Sequence, residues 1–233
     1  MNASSKPQRS AHSVWAELAR ELEKNADSMS DAIALFADRP RASELADLRV
    51  QVQGIARGAA LVTQARAWSR PTAGRPSALS EIRGLQWRLV MAVAGLEIIL
   101  KSLIGRAHPG IEEFRILERR IGNSDVESMP CPEVSPSHRR RWLEDESILR
   151  FLSLRGADLG IISGWLASED RRPLEGMANQ LALAKALRNC TAHAALSATK
   201  CQQLNLRPAM NQLPTVIQIA TARIFEVLCE ELS

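Results

Sequence analysis

Apolar side chains recur every three or four residues along most of this chain of 233 residues. That spacing places them on one face of an α-helix, and no segment shows the alternation of a β-strand. The spacing predicts helices over residues 13–26, 43–68, 80–105, 109–121, 158–167, 173–199 and 208–232, with shorter helical segments after Ser30 or Asp31 and from Trp142 to Leu152. We therefore expect an all-α fold, a helical bundle.

Two interruptions in this pattern divide the chain. Residues Arg70–Pro76 form a turn-rich linker, which separates an N-terminal helical extension (1–75) from a larger helical domain (78–233). Residues 122–139 contain three prolines and no periodicity. They predict a long loop within the larger domain.

The cysteine content and the apolar runs bear on the compartment of the protein. The four cysteines lie far apart without a C-x-x-C pair, which argues against a disulfide framework and for a reducing compartment. The polar N-terminus lacks the apolar stretch of a signal peptide, and the longest apolar run, Leu89–Leu100, is too short to span a bilayer. We therefore expect a cytoplasmic protein that is not attached to a membrane.

The chain carries a formal net charge of +4, and part of its arginine content is clustered. Arg139, Arg140 and Arg141 follow one another, with Trp142 next to them. Such a run is often a solvated helix end, but guanidinium groups also suit phosphate contacts and an indole can stack on a base. We keep these three arginines as candidate RNA-binding residues.

The predicted helix over residues 173–199 carries the residues with the clearest chemical potential. At about 100° per residue, one face of this helix is apolar and is formed by Leu183, Leu187, Cys190 and Ala194. Asn189 and His193 are neighbours on one flank of this face, whereas Arg188 points about 140° away from His193. Within one chain the two side chains do not meet easily. A second copy related by two-fold symmetry would bring Arg188 toward the other copy's His193.

The pair Arg188-Asn189, followed after three residues by His193, resembles the R-x4-6-H signature of HEPN domains. The resemblance is sharpest over residues 174–232 and extends more loosely to residues 80–105, so it implies a HEPN-like core. It also implies metal-independent cleavage of single-stranded RNA at a composite site in a homodimer, without a cofactor. HEPN ribonucleases resemble toxins and anti-phage defence effectors, so the resemblance further implies an antitoxin or a defence-complex partner.

The residue types fit that chemistry. The 2′-hydroxyl of RNA attacks the neighbouring phosphate when a base removes its proton and an acid protonates the leaving oxygen, and imidazole can do either near neutral pH. His193 is therefore the candidate general acid or base, Arg188 the candidate stabiliser of the phosphorane charge, and Asn189 a positioning group. Glu97, an acid inside the apolar helix over residues 80–105, is a candidate supporting residue that would bond across to the motif.

Other interpretations stay open from the sequence. Glu97 fits equally well as a buried acid paired with an arginine or with Lys101 for stability alone. Cys190, His193 and Cys201 offer three zinc ligands, and Cys190 with His193 offers a nucleophile and a base, although Cys190 lies on the apolar face. The main rival is a non-catalytic HEPN-like adaptor or assembly subunit, in which the motif serves association or has no role.

Overall fold

The computed structural model describes residues 20, 24, 26–37, 45–68, 77–105, 108–122, 126–144, 164–166, 170–193 and 195–230. They form eight helices, numbered here in chain order: α1 (Ala26–Ala37), α2 (Leu45–Ala67), α3 (Ala78–Ile104), α4 (Ile111–Ile121), α5 (Pro136–Leu143), α6 (Met177–Ala192), α7 (Ala198–Gln203) and α8 (Arg207–Glu230). An isolated antiparallel bridge joins Met129 to Leu174, and the residues that the structure describes contain no β-strand. The expected all-α helical bundle is confirmed.

Some predicted segments fall beyond this description. Almost all of the predicted helix over residues 13–26, the linker over 70–76 and most of the predicted helix over 158–167 lie outside the described residues. Of the predicted helical segment from Trp142 to Leu152, residues 145–152 also lie outside the described residues. Among the described helices, none combines the length and the apolar composition that crossing a membrane requires.

Helix α3 is the centre of the bundle, because α1, α2, α6, α7 and α8 all pack against it. The hydroxyl of Ser77 accepts a hydrogen bond from the backbone N–H of Ser80 at 3.3 Å and caps the N-terminus of α3. The apolar pattern had started this helix at residue 80, and the structure begins it two residues earlier, at Ala78. The helix ends at Gly105, whose φ of 77° needs a residue that tolerates the left-handed region.

The packing of α2 on α3 depends on glycine. A Cβ on Gly95 of α3 would lie 2.6 Å from the carbonyl oxygen of Gly58 on α2, and a Cβ on Gly58 would lie 2.5 Å from the carbonyl oxygen of Gly95. Both distances are too short for a real side chain, so the two backbones approach as closely as they do because neither residue has one. Helices α1 and α2 share one hydrophobic core with the helices of residues 78–233.

The N-terminus of α6 is held by other parts of the chain. Gly176 has a φ of 81°, and the helix has no capping side chain at that position. Instead, the carboxylate of Glu118 on α4 accepts a hydrogen bond from the backbone N–H of Ala178 at 3.3 Å. The bridge between Met129 and Leu174, with N–H···O distances of 3.0 and 2.8 Å, fixes the segment that leads into the helix. Tertiary contacts therefore replace local capping at this helix end.

The structure differs from the sequence expectation at both ends of α6 and at α5. The predicted helix over 173–199 was wrong as one element, since α6 spans Met177–Ala192 and α7 follows as a separate helix with Ser197 as its N-cap. Helix α5 begins at Pro136, inside the range 122–139 for which a loop was expected. Proline suits the first turn of a helix because the missing N–H would have no partner there.

Candidate active site

An ion pair joins the motif helix to the central helix. The guanidinium of Arg188 on α6 pairs through Nη2 with the carboxylate of Glu97 on α3. The two side chains are 19% and 17% exposed, so the pair lies at the edge of the core and part of it is accessible from outside. Glu97 therefore does bond across to the motif helix, and it does so through Arg188.

Polar atoms around this ion pair are incompletely satisfied. Within the described part of the chain, three buried side-chain atoms here have no hydrogen-bond partner: Glu97 Oε1, Arg188 Nε and Asn189 Nδ2. A buried donor or acceptor without a partner costs about 1–3 kcal/mol. Two of these atoms belong to the ion pair itself and the third to the residue that follows Arg188, so they lie at or next to the candidate site.

Asn189 lies deeper than the sequence indicated. Its side chain is only 3% exposed, whereas helical periodicity had placed it on a flank beside His193. The difference has a packing cause, because α3, α4 and α8 surround α6 and cover nearly all of its faces. Asn189 contacts the next part of the motif through its backbone, since its carbonyl accepts a hydrogen bond from the N–H of His193 at 3.1 Å.

His193 occupies the C-cap of α6 with an exposed side chain. Gln86 of α3 holds the turn that follows, since its Nε2 donates to the carbonyl of Leu196 at 2.7 Å and to the hydroxyl of Thr191 at 3.4 Å. The N–H of Leu196 also donates to the carbonyl of Cys190 at 3.0 Å. These contacts end the helix at Ala192 and turn the chain at His193.

The two halves of the motif are tied to different points on α3. Arg188 is tied to Glu97, and the turn that contains His193 is tied to Gln86. Eleven residues separate Gln86 from Glu97, which is about 16 Å along a helix axis. One chain thus ties the guanidinium of Arg188 and the turn at His193 to different points on the same helix.

Two cysteines belong to this region, Cys190 within the motif and Cys201 on α7. Cys190 and Cys201 are fully buried, and burial raises the pKa of the Cys201 thiol to about 12, with the neighbouring Cys190 adding to the rise. Cys201 is therefore a protonated thiol at neutral pH and a poor nucleophile or ligand. Over the described ranges, no three histidine, cysteine, aspartate or glutamate side chains group so as to hold a metal ion. The geometry gives no support to the zinc or the Cys–His hypothesis.

The candidate RNA-binding arginines lie on another helix. Arg140 and Arg141 on α5 are exposed, whereas Arg139 is half-buried and donates through Nη1 to the carbonyl of Leu166 at 3.1 Å. Arg139 also faces Cys131, whose thiol pKa is raised by burial and partly lowered by this guanidinium. The helices that pack mainly against α6 are α3, α4 and α8, so the structure does not bring α5 into that group.

Sequence reasoning missed two buried polar residues on the helices that form the site. Gln86 is buried on α3, and Lys185 is buried on α6 with its Nζ bonded to the carbonyl of Pro109. The available signal was the same one that identified Glu97, a polar residue inside an apolar helix. It also missed a cleft of about 260 Å³ between residues 130–133 and the start of α8, with Trp165 in its wall.

Comparison with protein-family models, with curated proteins and with solved structures found no match. The functional argument therefore depends on the geometry of this chain and on the motif that the sequence displays.

Proposed function

We propose that this chain is a HEPN-type, metal-independent endoribonuclease that cleaves single-stranded RNA at a site composed of residues from two copies. The observation that carries the proposal is the C-terminal half of α6, where a buried helix ends in the exposed His193 and presents Arg188 in an ion pair at the core edge. An activity of this kind suits a toxin or an anti-phage effector that a partner protein restrains.

His193 acts as general acid or base in this proposal. Its side chain is exposed at the helix end, where an RNA strand can reach it, and imidazole transfers protons at neutral pH. Its backbone is fixed by the hydrogen bond to Asn189 and by the turn that Gln86 holds. Asn189 is buried, so its side chain does not contact RNA in this proposal, and the hydrogen bond that its carbonyl accepts from His193 is one that any residue at position 189 would make.

Arg188 stabilises the negative charge of the phosphorane. The carboxylate of Glu97 binds Nη2 and orients the guanidinium, whose planar group has further N–H donors for phosphate oxygens. Preorganised charge of this kind is often the largest single contribution to catalysis. Glu97 is thus a positioning residue.

The second candidate function is a non-catalytic helical adaptor or assembly subunit. The observation that favours it is the same carboxylate, because Glu97 neutralises the positive charge that a phosphate would need. In this case Arg188 and Glu97 serve stability, and His193 is an ordinary exposed side chain.

The test is cleavage of a mixed-sequence single-stranded RNA in the presence of EDTA. We expect wild type to cut and to leave 2′,3′-cyclic phosphate ends, and His193→Ala and Arg188→Ala to lose about 100-fold or more of the rate. Matched controls are His108→Ala and Arg115→Ala, which remove an exposed histidine and an exposed arginine that are not part of the motif. Circular dichroism of each variant checks folding.

Two results would overturn this function. One is a wild-type protein that leaves single-stranded RNA and total cellular RNA intact at micromolar concentration. The other is a His193→Ala variant that cuts at the wild-type rate. Either result would favour the non-catalytic adaptor function.

A further inference from the structure

The motif lies in a long stretch of the chain that has no acidic residue. Between Glu175 and Glu226, fifty consecutive residues include five lysines or arginines and neither aspartate nor glutamate. At the chain's average of 26 acids in 233 residues, about five or six would fall there. The stretch covers α6, α7 and most of α8, so it contains His193 and the surface that follows it along the chain.

Helix α7 and its ends expose a polar surface directly after the turn at His193. Cys201 and Leu204 are buried in the core, and the residues between and around them face outward. The exposed side chains of residues 197–205 all end in a hydroxyl or an amide: Ser197, Thr199, Gln202, Gln203 and Asn205. These five residues together with Lys200 are called the α7 surface.

Lys200 connects the α7 surface to the turn. Its Nζ donates to the carbonyl of Ala195 at 3.4 Å, so the ammonium group lies against the turn that follows His193. The backbone N–H of Lys200 donates to the hydroxyl of Ser197 at 3.2 Å and fixes the start of α7. A strand that reaches His193 and continues along α7 therefore meets a positive charge first and amide side chains next.

Neighbouring helices bring carboxylates to the acid-free stretch, and each of these has a partner outside α7. Glu97 pairs with Arg188 on α6, and Glu81 pairs with Arg207 on α8 at 2.8 Å. Glu118 accepts a hydrogen bond at the N-terminus of α6, which is the end of that helix away from His193.

The arginines of α5 lie in a different electrostatic setting. Residues 126–144 and 170–175, which the bridge between Met129 and Leu174 joins, contain five arginines and five acids. One of these arginines, Arg172, is paired with Asp170 at 3.1 Å. The charges of the two segments balance, whereas the stretch around α7 carries positive charge only. A polyanion is therefore attracted to α7 more strongly than to α5.

We propose that the α7 surface binds the single-stranded RNA that the motif cleaves. The absence of acids favours a polyanion. Hydroxyl and amide groups both donate and accept hydrogen bonds, so they suit ribose hydroxyls and the edges of unpaired bases. An acidic polypeptide matches the charge, but the adjacent imidazole has a role only toward RNA. The inference rests on the proposed function and names the surface that holds its substrate.

Binding of a labelled 2′-O-methyl oligouridine tests the surface without cleavage, because this probe lacks the attacking hydroxyl. In Gln203→Glu the new carboxylate repels phosphates, so the dissociation constant, measured by fluorescence anisotropy, should rise about fivefold. In Gln203→Lys it should fall about fivefold, and the slope of log affinity against log salt should steepen by about 0.7. Matched controls are Gln64→Glu and Gln64→Lys, at an exposed glutamine of α2, which should leave the affinity unchanged.

A second pair of variants compares α7 with α5. Lys200→Gln and Arg140→Gln each remove one positive charge, from the α7 surface and from α5. Lys200→Gln should weaken binding about fivefold and lower the salt slope by about 0.7, whereas Arg140→Gln should change neither. Lys200 also bonds to the turn, so Lys200→Arg, which keeps the charge, should bind like wild type.

The remaining outcomes separate this inference from the proposed function. Equal affinities of Gln203→Glu and Gln203→Lys overturn the inference, and so does a larger loss in Arg140→Gln than in Lys200→Gln. Polyglutamate that binds as tightly as the oligouridine also overturns it, because the surface then takes an acidic polypeptide. A protein that binds the oligouridine through the α7 surface but cuts no RNA supports the binding surface and overturns the function.

Discussion

Helix α3 has two flanks with opposite character. Toward α2 it presents Gly95, and the two helices touch backbone to backbone with no side chain between Gly95 and Gly58. Toward α6 it presents Gln86 and Glu97, which bind a turn and a guanidinium and leave a carboxylate oxygen without a partner. The first flank is packed as tightly as a helix pair allows, whereas the second keeps polar groups that cost stability. The contrast separates the scaffold from the candidate site on a single helix.

The largest effect is expected at the glycine flank. Gly95→Ala should lower the free energy of unfolding by about 2–4 kcal/mol, because its Cβ would meet the Gly58 carbonyl and Val62, and the backbones must separate. The measurement is urea denaturation followed by circular dichroism.

Gly84→Ala on the same helix is the matched control. Its Cβ would meet only Trp68 at 3.7 Å, an ordinary contact, so the gain in helix propensity should stabilise the protein by up to about 1 kcal/mol. Equal effects of the two substitutions would show that the glycine crossing is not what holds α2 to α3.

An intermediate effect is expected at the ion pair. Glu97→Gln and Arg188→Met should each lower the free energy of unfolding by about 2 kcal/mol, because each leaves a mostly buried charge without its partner. The double variant should lose less than the sum, with a coupling of about 1–2 kcal/mol. If the losses of the two single variants add up to the loss of the double variant, the interaction between Glu97 and Arg188 contributes nothing to the free energy of unfolding.

The smallest effect on stability is expected at the turn. Gln86→Leu should cost about 1 kcal/mol, because the carbonyl of Leu196 loses its donor. Hydrogen exchange should nonetheless become faster in residues 193–197, since that donor holds the turn. Gln64→Leu, at an exposed position on α2, is the control. Unchanged exchange at the turn in Gln86→Leu would show that other contacts end α6.

The sequence predicted those elements whose ends are determined locally. Helix α3 was expected over 80–105 and spans Ala78–Ile104, and α8 was expected over 208–232 and spans Arg207–Glu230. Periodicity over many turns identified both. The start of α3 was placed two residues late because Ser77 and Ser80 are three residues apart and a serine at either position can cap a helix.

The break after α6 could not be predicted in the same way. Ala194, Ala195 and Leu196 continue the helical composition without glycine or proline, and the structure shows that Gln86, more than a hundred residues earlier, binds the turn. The contact of Glu97 was foreseen because an acid in an apolar helix needs a partner. The burial of Asn189 was not predicted, because it depends on the three helices that pack around α6.

The cap that Glu118 supplies to α6 has a consequence for synthesis on the ribosome. This residue precedes Ala178 by sixty positions, so the chain carries the acceptor well before the helix that needs it is made. At about 5–20 residues per second, that interval lasts roughly 3–12 s, far longer than a helix needs to form. A residue placed after α6 would leave the helix uncapped while the chain emerged. The order of the two elements along the gene thus lets the motif helix be capped as soon as it is translated.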